Sequence, residues 1–175
     1  MKGFFLALLP LLLWSSNLNA QTPFYEDKAI RIVVGSPPGG PFDTWARVLA
    51  RYMPKYVPGK PKFIVQNMPG AGYMIAANYV YSVAKPDGLT LGTVQAALYL
   101  EQLAGRKEVQ FDWAKFAWIG NPEPVDRIFF MRADTPYKTL EDIRKASEPP
   151  RCGAQGAGTV SHYFPLLLED ALGLK

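Results

Sequence analysis

Ile30-Arg31-Ile32-Val33-Val34-Gly35-Ser36-Pro37-Pro38-Gly39-Gly40-Pro41-Phe42-Asp43 is the stretch whose reading decides the fold. Ile30 to Val34 is a short β-branched run, which suits a strand covered on both faces. Pro and Gly then turn the chain and deliver Asp43 to the start of a helix. Gly39 and Gly40 can take backbone angles closed to other residues and let a ligand approach the main chain. Beyond Asp43, Trp45, Val48, Leu49, Tyr52, Met53 and Tyr56 recur at helical spacing and are expected to form the buried stripe, with Arg47, Arg51 and Lys55 on the other face. Strand, Gly-rich turn and helix start together present free backbone N–H groups to an anion. The same residues also describe a tight strand-to-helix turn that binds nothing. G-x-G-x-x-G is absent and no Gly-Lys-Ser/Thr follows, so the turn is neither a dinucleotide fingerprint nor a Walker A loop.

Residues 1–20 read as a cleaved secretory signal. Lys2 supplies the positive start, Phe4 to Trp14 an apolar core interrupted by Pro10, and Leu18-Asn19-Ala20 a small-residue end before Gln21. The apolar run is too short to cross a bilayer. No Cys sits at the cut, which disfavours a lipoprotein. The 175 residues carry a net charge of +4 with scattered basic residues, so no nucleic-acid partner is inferred. Cys152 is the sole cysteine, so an exported chain of this kind has no internal disulfide and holds by packing. A hydrophobic content of 49% is enough for a core.

Further along, Lys62 to Asn67 reads as a second strand, and Pro69-Gly70-Ala71-Gly72 as a second Gly-rich turn. A helix is expected from about Tyr73 to Ala84, burying Ile75, Ala76, Tyr79, Val80 and Val83. Pro86-Asp87-Gly88 is a turn. Leu89 to Val94 is a third strand, and Ala96 to Leu103 a short helix ending near Gly105. Glu108 to Lys115 reads as loop, and Phe116 to Gly120 as a fourth strand. Asn121-Pro122-Glu123-Pro124 is a candidate crossing between lobes, which divides the chain into a first lobe, 21–121, and the start of a second, 122–175. In the second, Arg127 to Met131 and Arg151 to Ala154 are expected strands. Thr139 opens a helix with Asp142 in a weak capping box. Gly156-Ala157-Gly158-Thr159 is a third Gly-rich turn, and the last helix carries Phe164, Leu167, Leu168 and Ala171 with Gly173 as its C-cap. Alternation of strand and helix implies an α/β fold with largely parallel sheets. Such turns lie at the carboxyl ends of strands, where ligands bind. Three of them suggest a cleft between two lobes.

Four ordered motifs carry a family resemblance. Pro37-Pro38-Gly39-Gly40-Pro41-x-Asp43 with Ala46-Arg47 resembles the first signature of the tripartite tricarboxylate transporter receptors, also called the Bug family. Val65-x-Asn67-x-Pro69-Gly70-Ala71-Gly72 resembles the second, and Pro86-Asp87-Gly88-x-Thr90-Leu91 the third. Gly156-x-Gly158-Thr159-x-Ser161-His162 resembles the turn opening the second lobe's ligand helix. The resemblance implies a periplasmic-binding-protein-like fold of two α/β lobes. It implies a periplasmic receptor that captures a small organic carboxylate and hands it to the membrane permease subunits of a tripartite transporter. Receptors of this shape are usually monomers. No enzymatic activity, cofactor or metal is implied. Ligand contacts are expected from Ser36, Pro38, Gly39, Gly40, Phe42 and Asp43 of the first turn, Gly70 and Ala71 of the second, and Gly156, Gly158, Thr159, Ser161 and His162 of the third. Backbone N–H groups and hydroxyls would meet the carboxylate, partly through water.

Three departures qualify the match. Phe42 stands where the family often has Thr or Ser, which replaces a hydroxyl by an apolar wall and favours an aromatic or longer-chain acid. Pro165 follows His162 closely and favours Ser161 over Thr159 as helix N-cap, since proline is tolerated only in a first turn. The sequence stops at Lys175, where the family continues, so it is expected to be the N-terminal part of a receptor.

Individual residues carry two readings. Asp43 caps the first helix, the reading favoured, or organises the turn around a ligand. His162 is expected to pack or cap. Cys152 is expected inside a strand, and Trp45 and Trp113 in the core. The rival function is an exported serine-type hydrolase with Ser161 or Cys152 as nucleophile and His162 as base. Against it, no G-x-S-x-G elbow is present, and one His with one Cys leaves no metal spacing. A third possibility is a ligand-sensing partner of a membrane kinase.

Overall fold

β1 (Ala29–Val34) is the central strand that the opening stretch predicts. The computed structural model describes residues 22–122 and 128–174. Within it β1 pairs in parallel with β2 (Lys62–Asn67) on one side and β3 (Thr90–Thr93) on the other, giving the order β2-β1-β3. The register sets Ile32 beside Val65 and Leu91, and Val34 beside Asn67 and Thr93. Three parallel strands therefore end together, and the turns that follow β1 and β2 rise from the same edge. Burial on both faces explains the unbroken Ile32-Val33-Val34 run, all of it buried.

One face of the sheet is covered by α1 (Pro41–Tyr52). Ile32, Val34 and Ala46 form this core, with Phe42, Leu49, Ala50, Phe63, Val65 and Leu91 packed around them. The expected stripe is thus rotated. Trp45, Val48, Tyr52 and Tyr56 lie on exposed ground, and the sheet side of the helix is set by Phe42, Ala46, Leu49 and Ala50. A small residue at the contact lets the helix approach the strands closely. The aromatic residues turned outward are too bulky for that seam.

The other face is covered by the segment after β2. A 3-10 turn (Ala71–Tyr73) leads into α2 (Met74–Asn78), which continues as a π turn (Tyr79–Val83). Met74 and Ala77 reach the core with Leu98 and Phe111. The single helix expected over 73–84 is therefore three local geometries, and the wide turn shifts the phase. Ile75 and Val83, expected inside, are exposed. α3 (Leu98–Leu103) follows β3. Glu108 to Lys115 is loop apart from a 3-10 turn (Trp113–Lys115), capped by the Asp112 carboxylate, which accepts from the Ala114 N–H.

Three expected strands do not form. Phe116 turns into the core beside Tyr81, Phe111 and Trp113, and residues 117–120 stay irregular. Residues 128–131 and 151–154 are irregular too, with Ile128 and Phe130 exposed; Arg127 lies outside the described residues. A strand requires a ladder, and among the described residues nothing pairs with these runs. Cys152, expected inside such a strand, is exposed. Trp45 is 37% exposed rather than core, whereas Trp113 packs against the second cluster as expected.

α4 (Leu140–Arg144) opens on the predicted capping box: Thr139 Oγ1 accepts from the Asp142 N–H, and the Asp142 carboxylate accepts from the Thr139 N–H. α5 (Val160–Leu172) ends at Gly173 in the left-handed conformation, as expected. Its N-cap is Thr159, not Ser161. Pro165 thus falls inside the helix, where its missing N–H leaves the Ser161 carbonyl without the usual donor. The start of the helix is tied to the segment between β3 and α3, where Gln95 Oε1 accepts from the Val160 N–H at 3.3 Å. Leu167 and Ala171 of this helix are exposed. The expected signal segment, Met1 to Ala20, lies outside the described residues, as does part of the proline-rich crossing.

Candidate functional site

A cleft of about 300 Å³ opens where the three Gly-rich turns converge. Its walls are Gly35, Ser36, Pro37, Gly40 and Pro41 after β1, Pro69, Gly70, Gly72 and Tyr73 after β2, and Gln155, Gly156, Ala157 and Thr159 before α5. The second and third turns touch closely: a Cβ on Gly72 would lie 3.0 Å from the Ala157 carbonyl oxygen, and its φ of +60° also favours glycine.

Asp43 holds the first turn in shape. It occupies the third position of α1 and is 2% exposed. Its Oδ2 accepts from the Gly39 N–H at 2.8 Å and from Arg47 Nε at 2.8 Å, and its Oδ1 accepts from Asn67 Nδ2 at 2.9 Å. The same Asn67 amide donates to the Ser36 carbonyl at 3.0 Å. The turn after β1 is thereby tied to the end of β2. The Arg47 guanidinium, then the Gly39 N–H and the Asn67 amide, hold the Asp43 carboxyl far below the usual carboxylate range. The helix N-cap is Gly40, with no side chain capping it. Asp43 is therefore the organiser of the turn rather than the cap that the sequence reading favoured, and it does not line the cleft.

With no cap, helix geometry leaves the Phe42 and Asp43 N–H groups of α1 without acceptors inside the helix. Pro41 contributes no N–H at the first position, where none is needed. Ser36 is 4% exposed, and its Oγ has no hydrogen-bond partner. A buried hydroxyl without a protein partner is uncommon. At the third turn, Thr159 Oγ1 donates to the Gly156 carbonyl at 2.7 Å and lies 3.0 Å from Ser161 Oγ. Ser161 Oγ accepts from the Gln155 N–H at 3.0 Å. His162 Nδ1 accepts from the Gly158 N–H at 3.4 Å, a role of the capping kind the sequence suggested.

Of the expected ligand residues, Ser36, Gly40, Gly70, Gly156 and Thr159 line the cleft. Pro38, Gly39, Phe42, Asp43, Ala71, Gly158, Ser161 and His162 are not part of its lining. Phe42 packs into the sheet core and against Tyr73, ring centroids 5.0 Å apart, so the apolar wall expected from Phe42 is delivered by Tyr73. Sequence reasoning passed over Tyr73 and Gln155. The signal for Tyr73 was its position directly after Gly70-Ala71-Gly72. Among the described residues no group of three or more His, Cys, Asp or Glu stands close enough to hold a metal ion. None of the described helices is long and apolar enough to cross a membrane.

A family model described as the tripartite tricarboxylate transporter family receptor matches residues 45–175. The chain belongs to this receptor family. It is 32% identical over 160 residues to a UPF0065 protein from the TAR-I ttuE-ttuC' intergenic region of Agrobacterium vitis, a match covering 86% of this chain and 44% of that protein. It is 33% identical over 161 residues to a UPF0065 protein from the gbd 5' region of Cupriavidus necator, covering 89% and 46%. The chain thus spans under half the length of these relatives. A solved structure described as a periplasmic transporter shares 34% identity, covering 50% of this chain and 29% of its own with a TM-score of 0.44.

Proposed function

We propose that this receptor chain captures a small organic carboxylate in the cleft between the turns after β1 and β2 and the turn before α5. Ser36 carries the reading: its buried, unpartnered hydroxyl sits beside the uncapped start of α1, where an anion completes both. The ligand is handed to the membrane permease subunits of a tripartite transporter, and Met1 to Ala20 directs export to the periplasm. Residues 21–121 act as the first lobe and 122–175 as the start of the second.

The role is capture rather than turnover. Ser161 Oγ is engaged by Gln155 and lies beside Thr159, and His162 Nδ1 is engaged by Gly158, so the two lack the nucleophile–base bond that a hydrolase needs. The test is calorimetric titration of the full-length mature receptor containing this sequence against mono-, di- and tricarboxylates. Saturable binding of one class is expected. No saturable response to any organic anion overturns the proposal.

A further inference from the structure

Tyr73 adopts a left-handed backbone conformation, φ 77° and ψ −1°, that side-chain-bearing residues rarely take. Such strain persists where surrounding structure over-determines it, and it clusters at ligand sites. Three features hold Tyr73 there. Gly35 leaves room for the ring: a Cβ on it would come within 2.6 Å of Tyr73 Cδ1. Phe42 backs the ring from the sheet core. The preceding turn, with Gly72 at φ +60°, feeds the chain into this bend. The result is an aromatic ring on the cleft wall.

The remaining chemistry of the cleft is asymmetric. Hydrogen-bonding capacity comes from Ser36, Thr159, Gln155 and main-chain groups, and the rest of the wall is apolar, with Pro37, Pro41 and Pro69 beside the ring. No described residue of the lining is charged. Arg47, on the helix that follows the first turn, is committed to Asp43 at 2.8 Å. A site of this kind can neutralise one carboxylate through N–H and hydroxyl donors.

Resting on the carboxylate-receptor reading above, we propose that Tyr73 selects the ligand, stacking its ring on the planar ring of an aromatic carboxylic acid. Offset or edge-on packing of two rings adds attraction beyond area burial, which an aliphatic chain does not recover.

The test is titration of the full-length mature receptor, and of its Tyr73→Gly and Tyr73→Phe variants, with benzoate, phenylacetate, acetate, succinate and citrate. Glycine suits the backbone at this position, and a thermal melt checks that each variant folds. Benzoate or phenylacetate is expected to bind at least about tenfold more tightly than succinate or citrate. Y73G is expected to narrow the preference for the aromatic acids over acetate by about tenfold, and Y73F to keep it. Succinate or citrate binding as tightly as the aromatic acids overturns the proposal and leaves the receptor reading standing. So does aromatic binding indifferent to Y73G. Absence of binding by every acid overturns both.

Discussion

The Tyr163 hydroxyl donates to Glu101 Oε1 at 2.6 Å, joining α5 to α3 across the wall of the molecule. Glu101 is 1% exposed, and its Oε2 lies 3.5 Å from Arg106 Nε. A buried carboxylate is costly unless its donors are in place. This bond and the one from Val160 to Gln95 fix the third Gly-rich turn against the other two.

Removing the phenol tests that link. Tyr163→Phe leaves Glu101 without its shortest donor and is expected to destabilise the chain by about 1–3 kcal/mol in urea unfolding. Amide exchange should accelerate first in α5. The bond to Glu101, then burial, pushes the Tyr163 hydroxyl above its ordinary value. Its contribution is therefore complete below the ordinary tyrosine range, about pH 10, and is lost as pH rises through the raised folded value. Y163F should abolish that alkaline loss. Equal stability of the two proteins at neutral pH would refute the link.

Asp43 predicts the opposite pH sense. Its folded value is depressed, chiefly by Arg47, so its contribution is present above the ordinary carboxylate range, about pH 4, and is lost as pH falls toward the depressed folded value. Asp43→Asn keeps the shape and removes the charge that Arg47, Gly39 and Asn67 share. The melting temperature of D43N should lie below wild type at neutral pH, and the gap should narrow in acid. A gap constant between neutral pH and strong acid contradicts this assignment.

Gly35 and Tyr73 should couple. Gly35→Ala pushes a methyl group into the Tyr73 ring and is expected to cost about 1–3 kcal/mol. Tyr73→Gly should relieve most of that cost in the double variant. A double-mutant cycle measures it, and additive effects would show that the two residues do not share the space.

Ser36→Ala separates fold from function. The hydroxyl is buried and unpartnered, so its loss should leave thermal stability unchanged or slightly raised. Carboxylate affinity should fall about tenfold or more, the range for a hydrogen bond to a charged group. A stability loss with unchanged affinity would assign Ser36 to the fold alone.

Much of this architecture is local and was legible. Ile30 to Val34 had to be a covered strand because no polar residue interrupts its two faces beyond Arg31. Three Gly-rich turns marked the places where the chain bends into a helix and lines the cleft. Thr139 with Asp142 and the glycine at 173 announced helix ends through bonds that span only a few residues. The family motifs lie within these same local units.

What the sequence alone determined is the set of strands, turns and caps whose stabilising contacts lie within a few residues of each other. The tertiary structure decided the rest. Helical spacing could not say which side of α1 faces the sheet, because Ala46 wins that place by closeness and not by hydrophobicity. The runs at 116–120, 128–131 and 151–154 could not become strands without a ladder to join. Asp43 is an organiser because Arg47 and Asn67 converge on it, and Asn67 comes from a strand 24 residues away. Tyr73 reaches the cleft only because Gly35 and Phe42, distant in sequence, leave and fill the space around its ring. Packing and pairing are relations between elements, and a single chain order does not state them.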